Sequence, residues 1–185
     1  MKFNRHWELE GKHAFLSPSQ YHWVNYSDDK LIERYRNYRA AELGTRLHAF
    51  AAEAIRLGIK LPKTSSTINL YVNDAIRYGM TPEQPLRYSD NCFGTADAIL
   101  FDERKGLLRI HDLKTGTNPA SMTQLMVYAA IFCLEYGYDP EEFDMELRIY
   151  QNDEALALVP EPDDVAHIME RIVYFDGMIE DLKTE

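Results

Sequence analysis

The chain has 185 residues, 45% of them hydrophobic and 27% charged. That is the composition of a folded globular protein, and no run approaches the ~20 apolar residues of a membrane-spanning helix. Met1 to Glu10 has no apolar core and does not read as a secretion signal. Its two cysteines, Cys92 and Cys133, are too few for a disulfide framework or for the thiolates of an iron–sulfur cluster. A cytoplasmic setting is the expectation.

The net charge of −10 argues on its face against a polyanionic partner, but the charge is unevenly spread. Residues 1–60 hold 10 Lys+Arg and 7 Asp+Glu, 61–120 hold 7 of each, and 121–185 hold 3 and 16. The acidic excess therefore lies in the last third, and the rest of the chain can still present a basic face.

In chain order, Ser17-Pro18-Ser19 predicts a cap and first turn, with a short helix through Gln20 to Trp23. Ser27-Asp28-Asp29 opens a longer helix through Leu31, Ile32 and Tyr35, with Gly44-Thr45 expected to break or bend it. The apolar pattern resumes at Leu47, Ala51, Ala54 and Ile55 and ends at Gly58 and Pro62. Ser65 or Ser66 is the expected cap of a third helix carrying Ile68, Val72, Ala75 and Ile76.

From Pro85 the period changes from 3.6 to 2. Leu86 to Tyr88 reads as a short extended piece, Phe93 to Phe101 as a strand, Asp102 to Gly106 as a turn, and Leu107 to Lys114 as the returning strand. A helix with Met122, Leu125, Met126, Ala129, Phe132 and Cys133 on one face follows. Strands at 145–151 and 155–159 come next, joined by Asn152-Asp153, and then a last amphipathic helix carries Val165 to Phe175. The order predicts an α/β fold with a mixed β-sheet flanked by helices and a helical N-terminal region. One domain over 1–185 is expected, helical over 1–80 with the α/β core over 81–185.

The returning strand carries the chemistry. In Leu108 to Lys114, alternation sets Leu108, Ile110, Asp112 and Lys114 on one face and Arg109, His111 and Leu113 on the other. Antiparallel pairing brings Gly94-Thr95-Ala96-Asp97 beside the end of that strand. Two carboxylates and a lysine then converge where the sheet leaves the core. Such a group suits phosphodiester hydrolysis: carboxylates hold a hard cation, and a lysine orients water or offsets charge on the phosphate. An Asp–Lys pair that merely ends a strand is the commoner meaning of D-x-K taken alone. On the next helix, Gln124 and Tyr128 share a face at i and i+4. Upstream, Gly44-Thr45-Arg46-Leu47-His48 sets a histidine on a helix.

Taken in order, G-T-x-x-H, G-T-A-D, an apolar strand ending D-L-K, and Q-x-x-x-Y resemble the RecB-type branch of the PD-(D/E)XK nuclease superfamily. That branch includes the CRISPR-associated adaptation nucleases, and small phage exonucleases are similar to it. The resemblance implies a restriction-endonuclease-like core, with His48, Asp97, Asp112 and the backbone carbonyl of Leu113 as ligands to Mg²⁺ or Mn²⁺. Asp97, Asp112 and Lys114 are then the catalytic groups, and Gln124 and Tyr128 place the DNA strand. Ser17 and Ser19 match, more weakly, a serine motif that opens such domains. Glu53 is a lesser candidate for an outer acid.

The chain departs from relatives that hold an iron–sulfur cluster on four cysteines, so no cluster is expected. The resemblance further implies a stand-alone deoxyribonuclease, exonuclease before endonuclease, serving phage-type recombination or DNA processing. Its partners would be DNA and a recombination protein, its setting the host cytoplasm if phage-encoded, and no membrane is involved. The dense basic segment Lys30, Arg34, Arg36, Arg39 and Arg46 on the helix leading to His48 is either a solvated face paired with Glu33 and Glu42 or, in part, the meeting place with phosphates, with Arg36 and Arg39 as its candidates. Two other readings stand beside it: a nuclease-fold module that binds DNA or assembles without cutting, and a metal hydrolase acting on another substrate.

Overall fold

A computed structural model describes residues 4–116 and 118–184. The regular elements are α1 (Asp28–Leu57), α2 (Thr67–Tyr78), β1 (Thr81–Ser89), β2 (Cys92–Asp102), β3 (Leu107–Leu113), α3 (Thr123–Tyr136), β4 (Asp144–Gln151), β5 (Glu154–Leu158) and α4 (Pro162–Lys183). Short 3-10 helices lie at Trp7–Leu9, Pro18–Asn25 and Pro140–Glu142. The fold is α/β with a mixed five-stranded sheet. Among the described residues no helix is long and apolar enough to cross a membrane.

Two compact units divide the chain, Met1–Thr45 and Arg46–Glu185. The chain is helical up to Tyr78 and enters the sheet at Thr81, as expected, and in the second unit the second half of α1 and α2 pack with the sheet. Within the first unit, Phe15 packs edge-on against Tyr35 at 5.1 Å. The Ser17 and Ser19 hydroxyls hydrogen-bond each other at 2.9 Å, and Trp23 Nε1 donates to the Ser17 carbonyl. Ser17 stands at the N-cap position with Pro18 after it, as expected, but its side chain makes no capping bond.

In the second unit the strand order is β1-β2-β3-β4-β5, antiparallel throughout except for the parallel pair β3–β4. Parallel neighbours need a crossover, and α3 provides it. The β2–β3 hairpin turns at the expected polar segment, setting Asp102 opposite Leu107 and Ile99 opposite Ile110. The β4–β5 turn uses Asn152 and Asp153, at φ 52° and 61°, a left-handed pair that these residues tolerate well.

Each sheet face buries its own core. Leu108 and Ile110 of β3 and Leu147 and Ile149 of β4 pack with Leu125, Ala129 and Phe132 of α3 and Val165 of α4. On the other face Ala98, Leu113 and Tyr150 pack with Ala51, Ala54 and Ile55 of α1 and Tyr71, Val72 and Ala75 of α2. Each fully buried large side chain contributes about 1.5–3 kcal/mol. The alternation read from β3 is the one observed. Its second face also holds a polar lattice under α2: His111, fully buried, meets the Tyr150 hydroxyl at 3.3 Å, and that hydroxyl donates to Asp74 at 2.8 Å.

Three local expectations change. Gly44 does not break α1, which is continuous from Asp28 to Leu57. One helical glycine costs only ~1 kcal/mol, and Thr45 satisfies its hydroxyl on the Ala41 carbonyl at 3.1 Å within the helix. β1 is a nine-residue strand rather than a short piece at 86–88. Pro82 and Pro85 obscured it, yet β1 is an edge strand, where proline's missing N–H does least harm. Ser66 sits at the N-cap of α2 without a side-chain bond. The Asp153 carboxylate, across the fold, accepts from Thr67 N at 2.8 Å instead.

Candidate functional site

His48 stands on α1 one turn before Ala51 and Ala52. Both alanines are buried, and such small side chains let the helix backbone approach the sheet closely. His48 is thereby carried to β2, where its Nδ1 lies 3.5 Å from Asp97 Oδ1. Its pKa is raised above the ordinary value, chiefly by the Asp97 hydrogen bond, against an opposing effect of burial; Glu83 and Asp112 add to the rise.

Asp97 sits where β2 loses its regular alternation. Residues 96 and 98 should share a face, yet Ala96 belongs to the core under α3 and Ala98 to the core under α1 and α2. Across the hairpin Pro82 pairs with Ala98 and Gln84 with Ala96, which sets Glu83 opposite Asp97. Glu83 has φ 52°, a left-handed conformation costing a non-glycine residue ~1–3 kcal/mol and found most often at functional sites. His48, Glu83 and Asp97 each offer a ligand atom within 4.8 Å of the others. Burial and the Asp97 charge raise the pKa of Glu83.

Register carried one step past Ala98↔His111 places Asp112 of β3 beside Asp97. Asp112 is not within the 4.8 Å group, but it is buried at 4% exposure, and burial followed by the Asp97 charge raises its pKa. Lys114 Nζ donates to Asp112 Oδ1 at 3.1 Å and to Gln124 Oε1 at 2.8 Å. It lies 3.0 Å from Asp112 Oδ2, yet that buried oxygen has no hydrogen bond of adequate geometry among the described residues. Asp97 Oδ2 accepts from Leu113 N at 2.8 Å. In an extended strand a residue's N–H and C=O project to the same edge, so the Leu113 carbonyl faces this side as well.

α3 completes the site. Gln124 is held by Lys114, and one turn on the Tyr128 hydroxyl donates to the Thr95 carbonyl at 2.7 Å. Gly94 makes that contact possible. A Cβ there would lie 3.0 Å from Tyr128 Cε1 and 3.3 Å from its hydroxyl, so a side chain would push the ring off β2.

The donor set fits a hard divalent cation. One imidazole and carboxylate oxygens converge, and a buried carboxylate oxygen beside them lacks a donor, an arrangement that a cation satisfies. The sequence-derived group of His48, Asp97, Asp112, Lys114, Leu113, Gln124 and Tyr128 is assembled around the middle of β2 and the C-terminal end of β3. Glu53 instead faces solvent and pairs with Arg56 at 3.7 Å. Ser17, Ser19, Arg36 and Arg39 belong to the unit Met1–Thr45; Arg36 and Arg39 are exposed, and Arg39 lies 3.9 Å from Glu42.

Sequence reading passed over Glu83. The available signal was the pairing itself: once β1 is recognised through its prolines, residue 83 falls opposite residue 97. Comparison with protein-family models, with curated proteins and with solved structures found no match.

Proposed function

We propose that the chain is a Mg²⁺- or Mn²⁺-dependent deoxyribonuclease built on a restriction-endonuclease-like core of the RecB-type PD-(D/E)XK branch. The observation that carries this reading is Lys114, fixed between Asp112 and Gln124, next to a histidine–carboxylate group suited to a cation. His48, Glu83 and Asp97 would hold the metal, together with Asp112 and the Leu113 carbonyl. When bound, the metal supplies an acidified water and offsets phosphate charge.

The chain's own groups do the rest. Asp97 is oriented by two contacts, to His48 and to Leu113 N, so its free lone pairs are aimed before any ligand arrives. The Lys114 ammonium is held at a defined point by Asp112 and Gln124, where it can meet a phosphate oxygen or the attacking water. Tyr128 and Gln124 line the α3 side, where a DNA strand would lie. Action from DNA ends, in recombination or DNA processing with a recombination protein as partner and in the cytoplasm, follows the family resemblance. Arg36 and Arg39 are the phosphate-binding candidates on α1.

Digestion of linear duplex, closed circular and single-stranded DNA with Mg²⁺ or Mn²⁺ tests the proposal. Loss of linear DNA with circles spared supports an exonuclease. Nicked or linearised circles mean an endonuclease. Bound but intact DNA in all three cases would leave only a binding module.

A further inference from the structure

The C-terminal half of α4 carries a polar side bonded to the β1–β2 turn and, beside it, an exposed apolar stripe. One side is polar and hydrogen-bonded: Asp176 accepts from Ser89 Oγ and from Asn91 Nδ2, Glu180 accepts from Asn91 Nδ2 at 2.6 Å, and Lys183 Nζ donates to Asn91 Oδ1 at 2.7 Å. These bonds pin the helix to the β1–β2 turn. Its apolar side is turned outward: Phe175, Met178, Ile179 and Leu182 are 45%, 45%, 39% and 63% exposed. Their spacing, i, i+3, i+4 and i+7, is that of a stripe meant for a partner helix. Contiguous apolar patches held out by a rigid scaffold mark interaction sites.

The charges at the two ends of the stripe identify the partner. Arg171 lies at its N-terminal end, with its guanidinium 4.1 Å from the Phe175 ring centroid. Asp181 lies at its C-terminal end. Neither forms an ion pair among the described residues. A stripe that reads positive, apolar, negative along one helix complements itself when two copies lie antiparallel. Phe175 of each helix then packs against Met178 and Leu182 of the other, and each Arg171 comes within a turn of the other's Asp181. We propose that this face pairs with the same face of a second copy of the chain, giving an isologous dimer. Two helices meeting over about three turns bury less than the ~1,200–2,000 Å² of a standard interface, so the dimer is expected to be a weak one that forms and dissociates with concentration. This inference is independent of the proposed catalytic activity.

Sedimentation equilibrium of the full chain, from low to several hundred micromolar, tests it. The expected result is a reversible monomer–dimer equilibrium that the double variant Phe175→Asp/Leu182→Asp abolishes, with an unchanged far-UV spectrum showing that the variant is folded. Arg171→Glu alone and Asp181→Arg alone should each weaken the dimer about tenfold or more, because either substitution alters both symmetry-related charge pairs at once. The combined Arg171→Glu/Asp181→Arg variant should restore it. A monomer at every concentration, any stoichiometry other than two, or a charge swap that does not restore association would overturn the proposal. If the apolar double variant does not fold, the charge swap alone decides.

Discussion

The Leu113 N–H donates to Asp97 Oδ2 at 2.8 Å, so a side chain of β2 takes the place of the next backbone rung between β2 and β3. One carboxylate thus closes the ladder with one oxygen and faces His48 with the other. The two roles separate by mutation. Asp97→Ala orphans the Leu113 N–H and should cost about 1–3 kcal/mol of stability as well as metal affinity. Asp97→Asn keeps an acceptor for Leu113, so its urea midpoint should stay close to that of the parent while Mn²⁺ binding by calorimetry is lost. Equal destabilisation by both substitutions would show that the bond does not matter to the fold.

Lys114 and Asp112 touch each other yet should fail differently. Lys114→Ala removes a cation that is not a ligand. Metal binding should survive, and turnover should fall by roughly 10²-fold or more, as for other lost acid–base or electrostatic groups. Asp112→Asn should weaken metal binding and turnover together. If Lys114→Ala lost the metal and Asp112→Asn kept it, the roles assigned here would be reversed.

Glu83 combines a left-handed backbone with a place in the candidate metal group. Because its φ is 52°, Glu83→Gly should be more stable than Glu83→Ala by about 1 kcal/mol, glycine alone adopting that conformation freely. Both variants should bind Mn²⁺ more weakly than the parent chain, and Glu83→Gln should do so without relief of strain. Unchanged calorimetric affinity in all three would remove Glu83 from the metal group.

Most of the fold was legible because its signals are local. The period-2 run from Leu107 to Lys114, the turn at Asp102 to Gly106 and the helical spacing from Met122 to Cys133 each declare themselves within one element, and the candidate residues Asp112, Lys114, Gln124 and Tyr128 lie on or beside the elements expected to carry them. What escaped depended on distant partners. The Asp153 cap of α2 spans 86 positions. The edge strand β1 reads poorly because of its prolines, and with it Glu83 was lost. Gly44, by contrast, was read too literally, since one weak residue does not outweigh the surrounding helix.

His111 gives the fold a pH dependence of definite sign. It is fully buried, and burial, with help from Arg148, Arg109 and Arg77, pushes its pKa down to about 3. The folded state therefore holds it neutral, while the unfolded chain takes up a proton near the ordinary value of about 6.5. Its contribution to stability is fully present above that value. As pH falls from there toward about 3, it is lost by up to about 1.4 kcal/mol per pH unit. Urea unfolding from neutral pH downward should show a shallower decline for His111→Phe than for the parent, whatever their absolute stabilities. Parallel declines would mean that His111 is protonated in the native state.

Metal-dependent cleavage of DNA is the claim on which the functional reading stands. Its most direct measurement follows linear duplex DNA with the purified chain in Mn²⁺, in Mg²⁺ and in EDTA, with Asp112→Asn alongside. DNA should be degraded with either metal, at least as fast in Mn²⁺ because manganese accepts imidazole ligands more readily. Degradation should cease in EDTA and return when metal is restored, and Asp112→Asn should be slower by about 10²-fold or more. Full degradation in EDTA, or parental rates from Asp112→Asn, would contradict the account.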